Sequence, residues 1–385
     1  MKRGLVLLDP AEIPESQWRD RVATLQGRMR AEGVDVALIY GDVSRSDDVA
    51  YLTNLCIYWN EGILAVPADG DPVFLTKLSP RVHPWMRRVS TITDIRSGKS
   101  FGALAAGYLE PPDGAAASTV GLVDAPLWPS AVIEEIAAEV TAGPGRRLKH
   151  LGALVREQRL VPSEHELALL RRAARLLAAA ADEAGRPGVP AAERIAVTER
   201  ELRGAGFLDV LARTAAAADG TGSLQVTGQY RNAWVHVGRL VTDGPGAGAA
   251  GAAGGAAGGA THGAARGAAA GEAGTTWPTA MRDALAAAVG AAADGVTAAH
   301  LATVAEPALA GLPASTGYGV RWVNQADMAT GGEYADYPPS LPMPAGSVVV
   351  ITVEAEFPDG RTAAVADTVL IGNDGAESLT GKAGR

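Results

Sequence analysis

The sequence predicts an α+β protein of two domains, and three observations predict it. A first stretch of roughly 150 residues mixes helix-period and strand-like apolar runs, a long Leu/Ala helix then opens a second stretch, and the remainder carries period-two alternation broken by hairpin signals. The length of 385 residues also fits about two domains.

In the first stretch, residues 16–33 (SQWRDRVATLQGRMRAEG) set Val22, Leu25 and Met29 at helical spacing and close on Gly33, a helix-stop residue. A buried strand follows at 34–41 (VDVALIYG), and AYLTNLCI at 50–57 reads as strand-like. GILAVPADGDPVFL at 62–75 reads as two strands around a Gly/Asp turn, TVGLVDA at 119–125 as another short strand, and VIEEIAAEV at 132–140 as a helix. These elements form an expected N-terminal mixed α/β domain over residues 1–155.

The second domain is expected over 156–385. Ser163 and Glu166 make a capping box ahead of the long helix, and a second helix lies around 191–204. SLQVTGQYRNAWVHVGRLV (223–241), SVVVITVEAEF (347–357) and TAAVADTVLI (362–371) alternate as antiparallel strands, with Pro358-Asp359-Gly360 as a hairpin turn. Residues 243–276 are nearly all Gly and Ala, too poor in apolar surface to offset their ordering entropy. They are expected to form a disordered surface insertion with a solvated His262 and no chemistry.

Composition narrows the function. A net charge of −9 argues against nucleic acid and anionic membrane surfaces, which attract Lys/Arg clusters absent here. Cys56 is the only cysteine, so an internal disulfide and a Cys-based zinc site are excluded, as suits a reducing compartment. Asp9 and Pro10 interrupt the N-terminal apolar run before a signal segment forms, and no run resembles a membrane span. The expected location is cytoplasmic.

Several phrases, in order, carry a resemblance: REQRLVPSEHELALLRRAA (156–174), GQYRNAWVHVGRL (228–240), the turn TGYGVRW (316–322), VVVITVEAEF and VADTVLIGNDGAESLT (365–380). The chain resembles the creatinase, prolidase and aminopeptidase P (M24, pita-bread) family over most of its length. The resemblance implies a creatinase-type N-terminal domain followed by a pita-bread catalytic domain. It also implies a pair of divalent metals held by two Asp, one His and two Glu. Those positions fall here on Gln225, His236, Tyr318, Glu354 and Ala366, so one ligand of the five is kept. One carboxylate, one imidazole, an amide and a phenol do not neutralise two divalent cations. A single zinc on His236, Glu354 and Asp367 is opposed by strand alternation, which turns Asp367 off the Ala366 face. No metal and no other cofactor is therefore expected.

The resemblance includes creatinase, a metal-free member that uses a His as proton shuttle. The stretch 212–223 (ARTAAAADGTGS), where that His would lie, has none. His236 is the candidate shuttle instead, with Glu354 beside it holding its pKa near neutral, and Tyr318 between two glycines as a third catalytic candidate. Arg239 and Arg321 are candidates for a substrate carboxylate; Gln225, Asn232, Asn324 and Gln325 would add amide groups. The family's dimers close each site with a partner loop, which would be Tyr58, Trp59, Asn60 and Glu61 here, so a homodimer acting on a small molecule is expected. The leading functional expectation is a metal-independent enzyme on a small amino-acid-derived or amide substrate, by C–N hydrolysis or a related elimination or isomerisation. The alternatives are a non-catalytic pseudoenzyme that binds a small molecule or protein, and a metal-dependent Xaa-Pro peptidase.

Overall fold

The helical spacing at the N-terminus is realised in helix α1 (Glu15–Ala31), which buries Trp18, Leu25 and Met29. The computed structural model describes residues 7–57, 59–109, 119–143, 145–216, 221–242, 276–328 and 337–381. Apart from Thr276, the Gly/Ala insertion with His262 lies outside the described residues, as does Tyr58. The chain divides into two units. The first comprises Met1–Leu170 with Gly206–Asp209 and Gln229–Trp234, and the second Arg171–Ala205, Val210–Gly228 and Val235–Arg385.

After α1 the first unit continues with β1 (Val36–Asp42), α2 (Asp47–Thr53), β2 (Glu61–Pro67), β3 (Val73–Thr76), α3 (His83–Val89), β4 (Asp94–Ser97), α4 (Phe101–Tyr108), β5 (Thr119–Val123), α5 (Ser130–Thr141), β6 (Arg147–Leu151) and α6 (Leu154–Gln158). The strands form one mixed sheet in the order β4-β3-β2-β1-β5-β6. Both faces are covered, so β1 and β2 are apolar without interruption. Ala37, Ile39, Leu64 and Val66 pack with α1, α2 and α3, while Leu38, Tyr40, Ile63 and Ala65 pack with α4 and α5. This is the mixed α/β domain expected.

One local expectation is corrected. The segment read as strand-like AYLTNLCI is the end of helix α2 and the coil after it. Asp47 and Asp48 in the first turn complement the helix dipole, and Asn54 ends the helix in the left-handed region at φ 64°. Asp47 also accepts hydrogen bonds from Trp234 Nε1 (2.9 Å) and Gln229 Nε2 (3.1 Å), and Arg159 donates to Asp48 at 2.7 Å. A hairpin tip far along the chain is thereby part of the first unit.

Helix α7 (Glu164–Ala184) is followed by α8 (Ala191–Gly204), β7 (Phe207–Ala216), β8 (Thr221–Tyr230), β9 (Ala233–Thr242), α9 (Trp277–Ala291), α10 (Ala298–Leu309), β10 (Gly317–Asn324), β11 (Val348–Glu356), β12 (Thr362–Ile371) and β13 (Ala376–Ser378). The second sheet runs β10-β11-β12-β9-β8-β7, with β13 pairing to β12. Val349, Ile351, Val353 and Ala355 of β11, and Val365, Val369 and Ile371 of β12, pack against α9 and α10 together with Val320 and Trp322 of β10. The alternate residues therefore face the other way. TGYGVRW was expected to be a turn. It is the edge strand β10, paired along its whole length with β11.

The capping box is complete. Ser163 Oγ donates to Glu166 Oε2 at 2.8 Å, Ser163 N donates to the same oxygen at 2.9 Å, and Glu166 N donates to Ser163 Oγ at 3.3 Å. Replacing Ser163 by Ala is expected to cost about 1 kcal/mol, read as a lower denaturant midpoint at unchanged slope.

Candidate functional site

The site is written by strand register. Glu354 pairs with Gly319 on one side and Ala364 on the other, Thr352 with Arg321 and Ala366, and Ala366 in turn with Gly238. These residues share the face turned away from α9 and α10. His236, two residues before Gly238, joins the same row. It is seated by Thr368, whose Oγ1 accepts from His236 N at 3.0 Å and donates to His236 O at 2.6 Å. The His236 ring is 2% exposed, with Nδ1 2.8 Å from Thr227 Oγ1.

Glu354 is ion-paired with Arg321 (Oε1 to Nη2, 2.8 Å), both side chains being partly exposed. A cavity of ≈ 520 Å³ opens at Glu354, lined also by Gln225, Gly317, Tyr318, Gly319, Ala355 and Glu356, with Thr362, Ala363 and Ala364. Strand β10 runs from exposed at Gly317 to buried at Asn324, so Glu356 lies at the mouth and Glu354 one step inward.

The expected electrostatics of His236 are corrected. Burial, then the guanidinium of Arg321, then that of Arg213 push the imidazole down to about 3 from 6.5, so it is neutral at physiological pH. No hydrogen bond joins it to Glu354 among the described residues, because the carboxylate turns to Arg321. Tyr318 lines the same cavity. Its register partner is Ala355, and it belongs to the row of Val320 and Trp322, opposite to that of Arg321, so that it borders the cavity only from the strand end.

The other candidates are dispersed. Gln225 lines the cavity. Arg239, one residue past Gly238, lies in the opposite row, where it bonds Asp182 of α7 at 3.1 Å and the Thr380 carbonyl. With Asp367, which accepts from Ser378 and Thr380, it lines a separate cavity of ≈ 1010 Å³. Asn232 donates to the Ala50 carbonyl at 3.2 Å, which makes it an anchor of the hairpin tip. Asn324 is buried and caps the following turn by accepting from Ala326 N, and Gln325 is buried in that turn. Trp59 stacks on Trp85, and Glu61 accepts from Tyr40 at 2.6 Å and pairs with Lys77 at 3.4 Å.

Thr227, Thr368 and Arg213 were missed. The signal for the first was present, since Thr227 follows Gln225 by two residues on a strand and must share its face.

Residues 21–161 match the creatinase/prolidase N-terminal domain. Solved structures with the same overall fold include the X-Pro aminopeptidase from Thermotoga maritima MSB8 (15% identity, 94% of this chain and 97% of that one, TM-score 0.70). The Xaa-Pro dipeptidase from Bacillus anthracis (12%, 96% and 99%, TM-score 0.69) and the prolidase from Pyrococcus horikoshii OT3 (16%, 94% and 98%, TM-score 0.65) share it as well. No curated protein matches the sequence. The resemblance read from the sequence is thus borne out: the first unit carries a creatinase/prolidase N-terminal domain, and the chain as a whole has the two-domain prolidase architecture.

That architecture implies a metal pair, and the residues at its positions do not fit one. Gln225, His236, Tyr318, Glu354 and Ala366 supply a single carboxylate, and a guanidinium already lies 2.8 Å from it. Among the described residues no three His, Cys, Asp or Glu side chains gather where they could hold a metal ion.

Because the folded-state pKa of His236 lies below its unfolded value, the neutral ring's contribution to stability is complete above pH 6.5 and is lost as pH falls toward 3. Between pH 7 and 4.5 the wild type should lose about 2–3 kcal/mol more than the His236→Asn variant, by denaturant titration at both pH values. Equal losses would show that the ring is protonated in the folded protein.

Proposed function

We propose that the chain is a hydrolase-like enzyme acting on a small amino-acid-derived or amide substrate by C–N hydrolysis without a metal ion. The observation that carries this reading is the Arg321–Glu354 pair at the edge of the 520 Å³ cavity. A carboxylate beside a cavity can accept a proton from water as its oxygen attacks an amide carbon; the same proton then goes to the nitrogen as the C–N bond breaks, giving an acid and an amine. Arg321 orients Glu354 through their 2.8 Å ion pair, and its guanidinium would face negative charge developing on the carbonyl oxygen. Gln225 and Tyr318 add an amide and a phenol at the cavity wall. His236, neutral and hydrogen-bonded to Thr227, takes a positioning role beneath them. The prolidase and X-Pro peptidase fold supports a hydrolase, while the donor set supports a reaction without the metals.

A second reading, a non-catalytic binding protein, is favoured by one observation. The one kept ligand and the imidazole at another ligand position both have internal partners, Glu354 in Arg321 and His236 in Thr227. The same proposal includes a homodimer in which the partner's loop closes the cavity, supported by the half-exposed Trp59. Light scattering at micromolar concentration should give twice the monomer mass, and a monomer removes the loop from the site.

With a panel of small amides, Glu354→Gln should lower kcat about 10²-fold while the fold persists, and chelator should leave the wild-type rate unchanged. Activity abolished by chelator and restored by manganese would sink the metal-free reading. Binding without turnover of any amide would favour the second.

A further inference from the structure

We propose that the cavity of ≈ 1010 Å³ bordered by α7 and α9 is a second ligand site, and that it takes a small amphiphilic carboxylate, its negative head at Arg282 and its apolar body along α9. This inference stands apart from the proposed hydrolysis, because no residue lining this cavity also lines the one at Glu354.

The shape comes from α9. Its residues in the lining include Arg282, Leu285, Ala286 and Val289, spaced three and four apart and so on one stripe of the helix. A neighbouring stripe of Met281, Ala284 and Ala288 is the buried one. The core therefore claims one side of α9 and leaves Leu285 and Val289 only half-buried where they border the cavity. Leu240 of β9 and Val365 of β12 add apolar surface, while Ala179 of α7 and Ala286 of α9, both exposed, leave room where larger side chains would close it. From Arg282 to Val289 the stripe runs about 10 Å. A cavity of this size with a mostly apolar lining and a few polar groups suits a small organic ligand.

The charges select the head group. Among the charged side chains of the lining, Asp182 is paired with Arg239 at 3.1 Å and Glu183 with Arg186 at 2.8 Å, and Asp367 accepts from the hydroxyls of Ser378 and Thr380. Arg282 is exposed and makes no hydrogen bond or ion pair among the described residues. One guanidinium is thus left over at the end of an apolar stripe, with a planar fork of N–H donors suited to a carboxylate. An amine meets that charge with every neighbouring acid of the lining already engaged. A bare anion gains little from an exposed arginine, and an uncharged apolar molecule leaves the fork unused. Charge and apolar body are both needed, and the stripe supplies a partner for each.

The test titrates octanoate, acetate, 1-octanol and octylammonium into the intact protein by calorimetry, each below its micelle concentration. Octanoate should bind roughly 10-fold or more tightly than each of the others. Arg282→Gln should bring octanoate down to the level of 1-octanol, and Arg282→Lys should weaken it less. Ala286→Trp, which fills the space and keeps the guanidinium, should abolish binding of octanoate and 1-octanol alike; should that variant fail to fold, Ala179→Trp replaces it with the same expected loss. Arg200→Gln, at an exposed arginine outside the lining of both cavities, should change nothing. Circular dichroism and melting temperature confirm that each variant is folded. Acetate or 1-octanol binding as tightly as octanoate, preference for octylammonium, no octanoate binding at millimolar concentration, or equal effects of Arg282→Gln and Arg200→Gln overturns the assignment. Octanoate binding that is lost with Arg321→Gln and keeps its strength with Arg282→Gln places the carboxylate in the other cavity and overturns it as well.

Discussion

The antiparallel register of β10, β11 and β12 decides what the second unit can hold. Every odd residue of β11 from Val349 to Ala355 is committed to the core under α9 and α10, so only Val348, Val350, Thr352, Glu354 and Glu356 are left for the other face. The pairing then determines which side chains from neighbouring strands meet them: Arg321 beside Thr352, Gly319 beside Glu354, Ala366 across from Thr352. Gly319 and Ala364 flank Glu354 with almost no side chain, and a side chain at Gly238 would meet the Ala366 backbone at 2.6 Å. Space above the sheet follows from these small residues, and the polarity of that space from the few larger ones among them.

Within that frame the Arg321–Glu354 pair carries the metal-free reading proposed for this site. Half-exposed, it adds little to stability. Its importance lies in what it prevents: a carboxylate with an ammonium or guanidinium partner is a poor metal ligand, and a buried imidazole near two guanidiniums is a poor base.

Much of the fold was legible because its signals are local. The Ser163 box, the Gly33 stop and the alternation in VVVITVEAEF each rest on neighbours within a few residues. AYLTNLCI misled because its apolar content is that of a strand, whereas the helix is set by Asp47 and Asp48 just upstream and Asn54 within. The site was legible in part. Matching residues to family positions identified Glu354 and Gln225 at the cavity, and period two correctly turned Asp367 away from Ala366. Tyr318 is at the cavity too, whereas Arg239 is not, because its face depends on which residue of its strand starts the alternation. The pairing of Glu354 with Arg321 instead of His236 joins residues 33 apart through a cross-strand register, which no single-segment pattern contains. Asn232 and Asn324 illustrate another limit: an amide near a site in sequence is as readily used to tie down a turn.

The hydrogen bonds of Asp47 bear on how the chain can be divided. Because Trp234 and Gln229 satisfy a carboxylate at the start of α2, the first unit is not a contiguous piece of sequence. A chain cut after residue 170 would leave Asp47 without its indole and amide donors and uncover Ala50, whose carbonyl receives Asn232. Such a fragment would carry the entire creatinase/prolidase N-terminal match and still lack part of its own interior, so the domain that sequence similarity delimits is smaller than the unit that folds.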